Sequence, residues 1–350
     1  MDAISSYYHS KRLRRVAVLG GLSALLFFTV IIGIMVGPVQ VGPGLIMKVI
    51  YSRLPFLGND VVQTWPQYYT SIVIDVRLPR VVLAMLVGMG LAVSGCAMQG
   101  LFRNPMASPY VCGISSGGAF GAALAVNIGL SYYFVPFGAF FFAALTVFVV
   151  YMIARVNGKV PITTLLLSGI AISSFFSALV SLMLYVSNER LERIVFWMMG
   201  GLWSAGWDKV AITLPFIVLS VPVFTYLARD LNALLMGEES AADLGIEVEA
   251  TKRFILALTA LTVGACVAVS GVIGFVGLII PHVTRLFVGP DHKVLIPASA
   301  LVGGIFLIVT DLFARMVIRP SELPVGIITS LFGVPFFLSL LRRRRTEMGW

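Results

Sequence analysis

The chain has 350 residues, of which 59% are hydrophobic and only 12% are charged. Its mean hydropathy of +0.97 is typical of integral membrane proteins and excludes an ordinary soluble fold. The formal net charge of +9 does not indicate nucleic-acid binding, because the basic residues lie at the ends of apolar segments and form no single patch. Such a distribution is typical of the positive flanks of membrane helices.

The first apolar run, residues 16–36, follows a basic group formed by Lys11, Arg12, Arg14 and Arg15. A cleaved signal peptide has the same order of a basic and an apolar region. However, this run is long enough to span a bilayer, and Gly37-Pro38-Val39 behind it offers no small-x-small cleavage site. The run therefore predicts a first transmembrane helix with its amino terminus in the cytoplasm.

The remaining apolar stretches predict an all-α, polytopic membrane protein whose single transmembrane domain covers residues 1–350. Residues 104–154, for example, contain no Asp, Glu, Lys or Arg, which leaves room for two spans of roughly 20 residues. Gly-rich interruptions at 114–118 and 271–274 are typical of the broken helices of transporters. About ten spans are predicted, at about 16–36, 72–100, 109–128, 132–155, 161–187, 209–228, 251–270, 273–288, 294–313 and 323–341.

An even number of spans with an inside start predicts that both termini are cytoplasmic, in the plasma (inner) membrane. Most of the 25 basic residues then lie on the cytoplasmic side, as the positive-inside rule requires. Residues 37–71, which contain several prolines, are predicted to form an external loop. Residues 230–250 form an acidic cytoplasmic segment of two short helical pieces, which is either a solvated loop or a docking element for a partner.

Short motifs of Gly, Pro and charged residues occur in a fixed order along the chain, and the ordered set carries more information than any single motif. In chain order they are Arg77-Leu78-Pro79-Arg80, Val87-Gly88, Ser94-Gly95, Gln99, Arg103-Asn104-Pro105-Met106-Ala107, Met236-Gly237-Glu238-Glu239 with Ala242 and Leu244-Gly245, Gly274-Phe275-Val276-Gly277-Leu278-Ile279-Ile280-Pro281-His282 with Arg285, Gly289-Pro290-Asp291-His292, Asp311 with Arg315, Glu322-Leu323-Pro324-Val325-Gly326, and Gly333-Val334-Pro335-Phe336. With these motifs the chain resembles the FecCD/BtuC-type permeases, the transmembrane subunits of type II ABC importers for iron-siderophore, haem or cobalamin. Met106 stands where that family usually has Leu, and the external loop is longer than expected.

The resemblance implies the BtuC-like permease fold and a homodimer with ten helices in each subunit around a central pathway. Two cytoplasmic ABC ATPase subunits and an external substrate-binding protein would complete the importer. Membrane lipid would surround the helices of the permease. The chain contains no GxxxxGK[ST] loop that could cradle a triphosphate, so ATP and Mg²⁺ are expected to be used by the partner ATPase. The chain itself is expected to be no enzyme and to bind no cofactor.

The resemblance also assigns candidate functional residues to three groups. Arg77, Arg80 and Arg315 would receive carboxylates of the binding protein, to which the planar guanidinium is suited; the alternative is that they snorkel at the membrane interface. Coupling to the ATPase is assigned to Gly237, Glu238, Glu239, Ala242, Leu244 and Gly245. A cytoplasmic gate is assigned to Asn104, Pro105, Met106, Ile162, Thr163 and Thr164. For Asn104 and Thr163, helix capping is an alternative or additional role.

The other reactive side chains are predicted to be structural. His282 has no second histidine at a metal-binding spacing, so a hydrogen-bonding role is expected and no metal site is predicted. Asp311 could carry a proton, but its spacing of four residues from Arg315 favours a self-neutralising helical pair. The three cysteines lie in apolar segments without a CxxC pair, which predicts small buried residues.

Two other functions compete with an ABC permease. A secondary transporter driven by an ion gradient would place ionisable residues near the middle of the membrane, where this chain has almost none. A membrane enzyme would need clustered acid, base or nucleophile residues, and no HExxH motif occurs. The sequence does not identify the substrate; iron-siderophore is the first choice on family frequency, followed by haem and cobalamin, with oxyanions possible.

Overall fold

A computed structural model describes residues 2–53, 63–187, 190–318 and 320–348, and within them all regular structure is helical apart from a single β-bridge between Val156 and Lys159. Side chains of residues 2–12, 132, 340–341 and 343–348 are not described. The helices are α1 (Asp2–Met35), α2 (Pro43–Tyr51), α3 (Gln67–Ser71), α4 (Leu78–Leu101), α5 (Ile114–Asn127), α6 (Val135–Ala154), α7 (Ile162–Val186), α8 (Leu191–Met199), α9 (Trp207–Tyr226), α10 (Ala228–Leu234), α11 (Glu238–Asp243), α12 (Val248–Ser270), α13 (Val276–Val288), α14 (His292–Met316) and α15 (Val325–Met348).

Within the described residues, 7 helices are long and apolar enough to cross a membrane. The count of about ten transmembrane helices is therefore not confirmed. The three remaining predicted spans, at 109–128, 273–288 and 323–341, contain the shorter α5, α13 and the apolar part of α15. Local breaks come before two of them: a 3₁₀ turn and Gly113 precede α5, and Gly271, which follows α12, precedes α13. Both glycines have positive φ.

The predicted external loop at 37–71 is more ordered than expected. It contains α2 and the start of a continuous helix that runs from Gln67 to Leu101, while residues 54–62 lie outside the described residues. That helix includes a π-helical segment at Ile72–Arg77, which joins α3 to α4. The wider turn leads directly into the first of the arginines assigned to docking, and π-helical segments are often found at functional sites.

Helices α4, α12 and α14 form the centre of the bundle and are mostly buried, whereas α1, α6, α7 and α9 keep most of their side chains at the surface. Glycine allows the central helices to touch. A Cβ atom at Gly88 would lie 2.2 Å from the carbonyl oxygen of Gly303, and one at Gly95 would lie 1.8 Å from that of Gly277. Packing α4 directly on the backbones of α14 and α13 is the close approach that small residues permit in membranes.

Candidate translocation and coupling sites

The outer cluster, named for the side on which the sequence predicts it, consists of the buried Arg77, Arg80, Asp311 and Arg315 and the partly exposed Glu322. Arg80 donates from Nε and Nη2 to Asp311 at 3.0 and 2.9 Å, and its Nη1 lies 2.9 Å from Glu322. Arg315 Nε lies 3.0 Å from the other oxygen of Asp311, which confirms the predicted pair at four-residue spacing. One carboxylate on α14 is thus shared between a guanidinium from α4 and another from its own helix.

Arg77 holds the carboxyl end of α1. It donates to the backbone oxygens of Ile34 at 3.0 Å, Met35 at 3.1 Å and Val39. Carbonyls in the last turn of a helix have no partner within the helix, so a guanidinium placed there satisfies several of them at once. Arg77 therefore ties α1 and the chain behind it to the π-helical segment before α4.

The structure brings the three arginines together, but not as freely exposed groups. Arg77 is 3% exposed, Arg80 is 7% exposed and Arg315 is 3% exposed, and all three donate hydrogen bonds within the chain. They do not snorkel as isolated side chains, since carboxylates or backbone carbonyl oxygens bind their charged ends. Their docking role stays a prediction. Glu322 was not among the predicted site residues; its place just before Leu323-Pro324 in a shared motif was the available signal.

The acidic segment at 230–250, which is predicted to be cytoplasmic, folds as the two short helices α10 and α11, separated by a turn at Gly237. Gly237 has φ of 120° and Gly245, behind α11, has φ of 81°, so both positions favour glycine. Ala241 is buried, whereas Glu239, Ala242, Leu244 and Gly245 are exposed. The surface also carries Met236, which is 71% exposed, and Leu244, which is 56% exposed.

A lysine connects the coupling segment to the start of α7. Lys252 Nζ lies 2.7 Å from Glu238 and 3.0 Å from Glu249, and it donates to the carbonyl oxygen of Val160 at 3.2 Å. Glu249 in turn accepts a hydrogen bond from the Val160 backbone N–H at 3.0 Å. Since Val160 comes directly before Pro161 and α7, this lysine bridge joins α11, α12 and one half of the predicted gate.

The predicted gate residues lie at the ends of α4 and α7 that face this segment. Asn104 Oδ1 accepts a hydrogen bond from the Met106 backbone N–H at 2.9 Å and so shapes the turn behind α4. Thr163 does not cap α7, because Pro161 occupies the N-cap position and Thr163 lies inside the helix. Capping by Thr163 was therefore wrong, while gating by the two groups stays a prediction.

Two further contacts explain motif residues at the same end. Gln99 donates to the Leu278 carbonyl oxygen at 3.0 Å and accepts from Arg285 at 3.1 Å, which links α4 to α13. Asp291 caps α14 and lies 2.7 Å from Arg15. Burial raises the pKa of Asp291, but hydrogen bonds from Asn232 and from the Lys293 backbone N–H, together with Arg15, hold it below its usual value.

The predicted structural residues are found inside the bundle. Cys96, Cys112 and Cys266 are buried and free, as expected for small core residues. His282 packs its ring edge to face against Phe336, with centroids 6.5 Å apart. Among the described residues, no group of His, Cys, Asp and Glu is arranged to hold a metal ion.

The sequence profile of the FecCD transport family matches residues 25–343. The chain belongs to this family. It is 46% identical over 283 residues to the cobalamin import system permease protein BtuC of Halobacterium salinarum, covering 81% of this chain and 76% of the relative. The hemin transport system permease protein HmuU of Yersinia pestis is 41% identical, with coverage of 78% and 84%. The molybdate import system permease protein MolB of Haemophilus influenzae is 36% identical, with coverage of 91% and 94%.

A solved structure gives the same fold. It is an inward-facing conformation of a metal-chelate type ABC transporter, which is 34% identical, has a TM-score of 0.82 and covers 93% of this chain and 99% of its own. The family resemblance is thus confirmed. This family member is a permease of the ABC importer type, with apolar helices that indicate a multi-pass membrane protein.

Proposed function

We propose that this permease forms the translocation pathway of an importer for metal chelates, as a homodimer with two cytoplasmic ABC ATPase subunits and an external substrate-binding protein. The lysine bridge is the observation that carries this proposal. It connects an exposed, acidic and partly apolar helical segment, suited to a partner, with the start of α7. A push on α11 can therefore reach a transmembrane helix through a buried charged group.

The energy source is assigned to another chain, because the 350 residues contain no phosphate-binding loop. A gradient-driven mechanism is less well supported. The buried charges of the outer cluster are paired with each other near helix ends, whereas coupling-ion sites usually lie near the middle of the membrane. The proposed orientation keeps both termini and the segment α10–α11 in the cytoplasm.

The homodimer is proposed from the exposed apolar faces of α7 and α15, which carry Ile170, Phe175, Leu331 and Phe332 at the surface. A second copy of the chain would cover them and enclose the pathway. For the cargo, iron-siderophore remains the first choice, with haem and cobalamin next. The relatives named for cobalamin, hemin and molybdate import show how widely cargo varies at this level of identity.

Docking of the binding protein is proposed at the outer cluster through an exchange of partners. Glu322 is the most accessible carboxylate of the cluster, and in the isolated subunit it accepts a hydrogen bond from Arg80 Nη1. A carboxylate of the binding protein would displace Glu322 and take the same guanidinium. In Glu322→Gln the competing charge is gone, so the binding protein should bind up to about fivefold more tightly, with a steeper loss on adding salt. Unchanged affinity and salt dependence would leave the arginines as structural residues.

The test of the whole proposal is reconstitution. Co-expression with its partner ATPase and binding protein should give a complex that imports a chelate into proteoliposomes only with ATP. The variant Glu249→Gln should assemble but couple hydrolysis to import less efficiently, because it weakens the lysine bridge. Import driven by an ion gradient without ATPase would contradict the proposal.

A further inference from the structure

A cavity of about 460 Å³ opens at the end of the bundle opposite the coupling segment. Helices α5 and α12 end at its wall, and α6 and α9 begin there. Because α9 leads to α10 and α12 follows α11, the other ends of these two helices face the coupling segment. In the proposed orientation the cavity therefore lies on the external side.

The lining of this outer cavity combines positive charge with aromatic surface. Its basic side chains are Arg190, Arg193 and Lys209, its acidic side chain is Glu192, and its aromatic side chains are Phe196, Trp197 and Trp203. Phe196 and Trp203 pack edge to face with centroids 6.0 Å apart. The cavity can thus offer charge-assisted hydrogen bonds and a flat apolar wall at the same place.

Two of the basic groups are held in position by the fold. Arg190 Nη1 donates to the carbonyl oxygens of Val126 at 3.0 Å and Asn127 at 2.6 Å, at the carboxyl end of α5. A guanidinium has five N–H donors, and these two bonds use only one of its nitrogens. Lys209 is 6% exposed and donates to Ser204 Oγ in the cavity wall. Both side chains are therefore largely ordered before a ligand binds, so binding loses little side-chain entropy.

The aromatic wall is also fixed. A Cβ atom at Gly201 would lie 1.9 Å from the ring of Trp203, so the indole packs directly on the backbone there. The Gly201 backbone N–H donates to the Ser270 carbonyl oxygen at 2.8 Å, which joins the segment behind α8 to the end of α12. Gly200 and Gly271, both with positive φ, allow these two segments to approach.

We propose that the outer cavity binds the anionic part of the imported chelate, a carboxylate-bearing group attached to a flat or apolar body. The proposal rests on the proposed function, since import brings the ligand to this side, and it narrows the cargo to anionic chelates. The volume falls within the range of about 300–1,000 Å³ for small-molecule sites. The arginines supply forked donors for carboxylates, and the tryptophans supply the surface on which a ring can stack.

The test uses the complex of permease and ATPase in phosphatidylcholine nanodiscs, with haemin and haemin dimethyl ester as probes. The two probes share one flat ring, but only haemin carries free carboxylates. Haemin retained by the complex, above the amount retained by empty nanodiscs, should saturate, whereas the ester should not exceed the empty discs. Equal retention of both probes would overturn the proposal in favour of apolar partition.

Variants locate the binding. Arg193→Gln should weaken haemin binding roughly fivefold and Lys209→Gln about tenfold or more, as expected for partly exposed and buried charged contacts. The matched control is Lys48→Gln on α2, which removes the same charge at the same end of the bundle outside the cavity. Since Lys209→Gln could impair folding, the exposed Arg193→Gln decides: no loss there, or an equal loss in the control, overturns the proposal.

A final experiment distinguishes imported cargo from a lipid headgroup as the ligand of the outer cavity. If the anion site belongs to a lipid headgroup, phosphatidylglycerol in the discs should displace haemin from the wild-type complex, and that result would overturn the assignment to cargo. Retained binding in such discs supports it. Failure of this inference alone would leave ATP-dependent import and assembly with the ATPase intact, whereas failure of the proposed function would abolish both.

Discussion

At one end of the bundle, the outer end in the proposed orientation, Arg80, Asp311 and Arg315 lie buried and paired with one another. At the opposite end, Glu239, Leu244 and their neighbours lie at the surface. In the first region, the charged groups bind one another and hold α1, α4 and α14 together. In the second region, acidic and apolar side chains are exposed to a possible partner, and the buried Lys252 connects the segment to the interior. Under the proposed function, the outer charges must exchange partners before they can receive another protein, while the segment α10–α11 can receive one directly.

The strongest test of the buried outer cluster is Asp311→Asn. Removing the shared carboxylate leaves two buried guanidinium groups without their main counter-charge, and breaking a buried pair in this way typically costs about 3–5 kcal/mol. We expect the thermal unfolding midpoint in a fixed detergent to fall by several degrees or the protein to fail to accumulate. The matched control is Asp243→Asn on the exposed surface of α11, which should unfold like wild type. Equal stability of both variants would mean that the cluster does not hold the helices together.

The lysine bridge is tested by Lys252→Met. This change removes the contacts of Nζ to Glu238, Glu249 and the Val160 carbonyl while keeping most of the apolar stem, so we expect a loss of about 1–3 kcal/mol in stability. The larger effect should be functional, because α11 is then no longer tied to α7. ATP hydrolysis by the reconstituted complex should continue while import per ATP falls. The control is Lys159→Met in the neighbouring turn; an equal loss there would assign the effect to surface charge.

Sequence reasoning found what is encoded locally and missed what depends on distant partners. The pair of Asp311 and Arg315 follows from a four-residue helical spacing, and long apolar runs predicted α4 and α12. The contact of Arg80 with Asp311 joins residues 231 positions apart, and that of Lys252 with Val160 joins residues 92 apart, so no local pattern could indicate them. The outer cavity was missed for the same reason, because four separate connections supply its lining.

A smaller effect is expected from Gly245→Val, which tests whether the turn behind α11 must keep its shape. A Cβ atom at this glycine would meet nothing within 4 Å, but a φ of 81° is strained for a β-branched residue, at a cost of about 1–3 kcal/mol. We expect the turn to rearrange locally, with near-normal stability of the whole chain and weaker coupling of hydrolysis to import. Gly274→Val, which has equal free space and no positive φ, is the control. Unchanged coupling in Gly245→Val would identify the segment as a solvated loop.

The smallest effect concerns Asp291, whose partly exposed ion pair with Arg15 can be compared with the buried pairs of the outer cluster. The pKa of this carboxyl is lower in the folded state than in an unfolded chain, where it is about 3.9. Its ionised form therefore stabilises the fold at pH values above the unfolded pKa, and this contribution is lost as the pH falls through the folded value. Exposed pairs contribute about 0–1 kcal/mol, so Asp291→Asn should lower stability only slightly at pH 7. The difference between wild type and variant should shrink as the pH falls below the unfolded pKa and through the folded one, as measured by unfolding midpoints at each pH. A difference that grows in acid would contradict the direction of the shift, and a large difference at pH 7 would place Asp291 with the buried charges of the outer cluster.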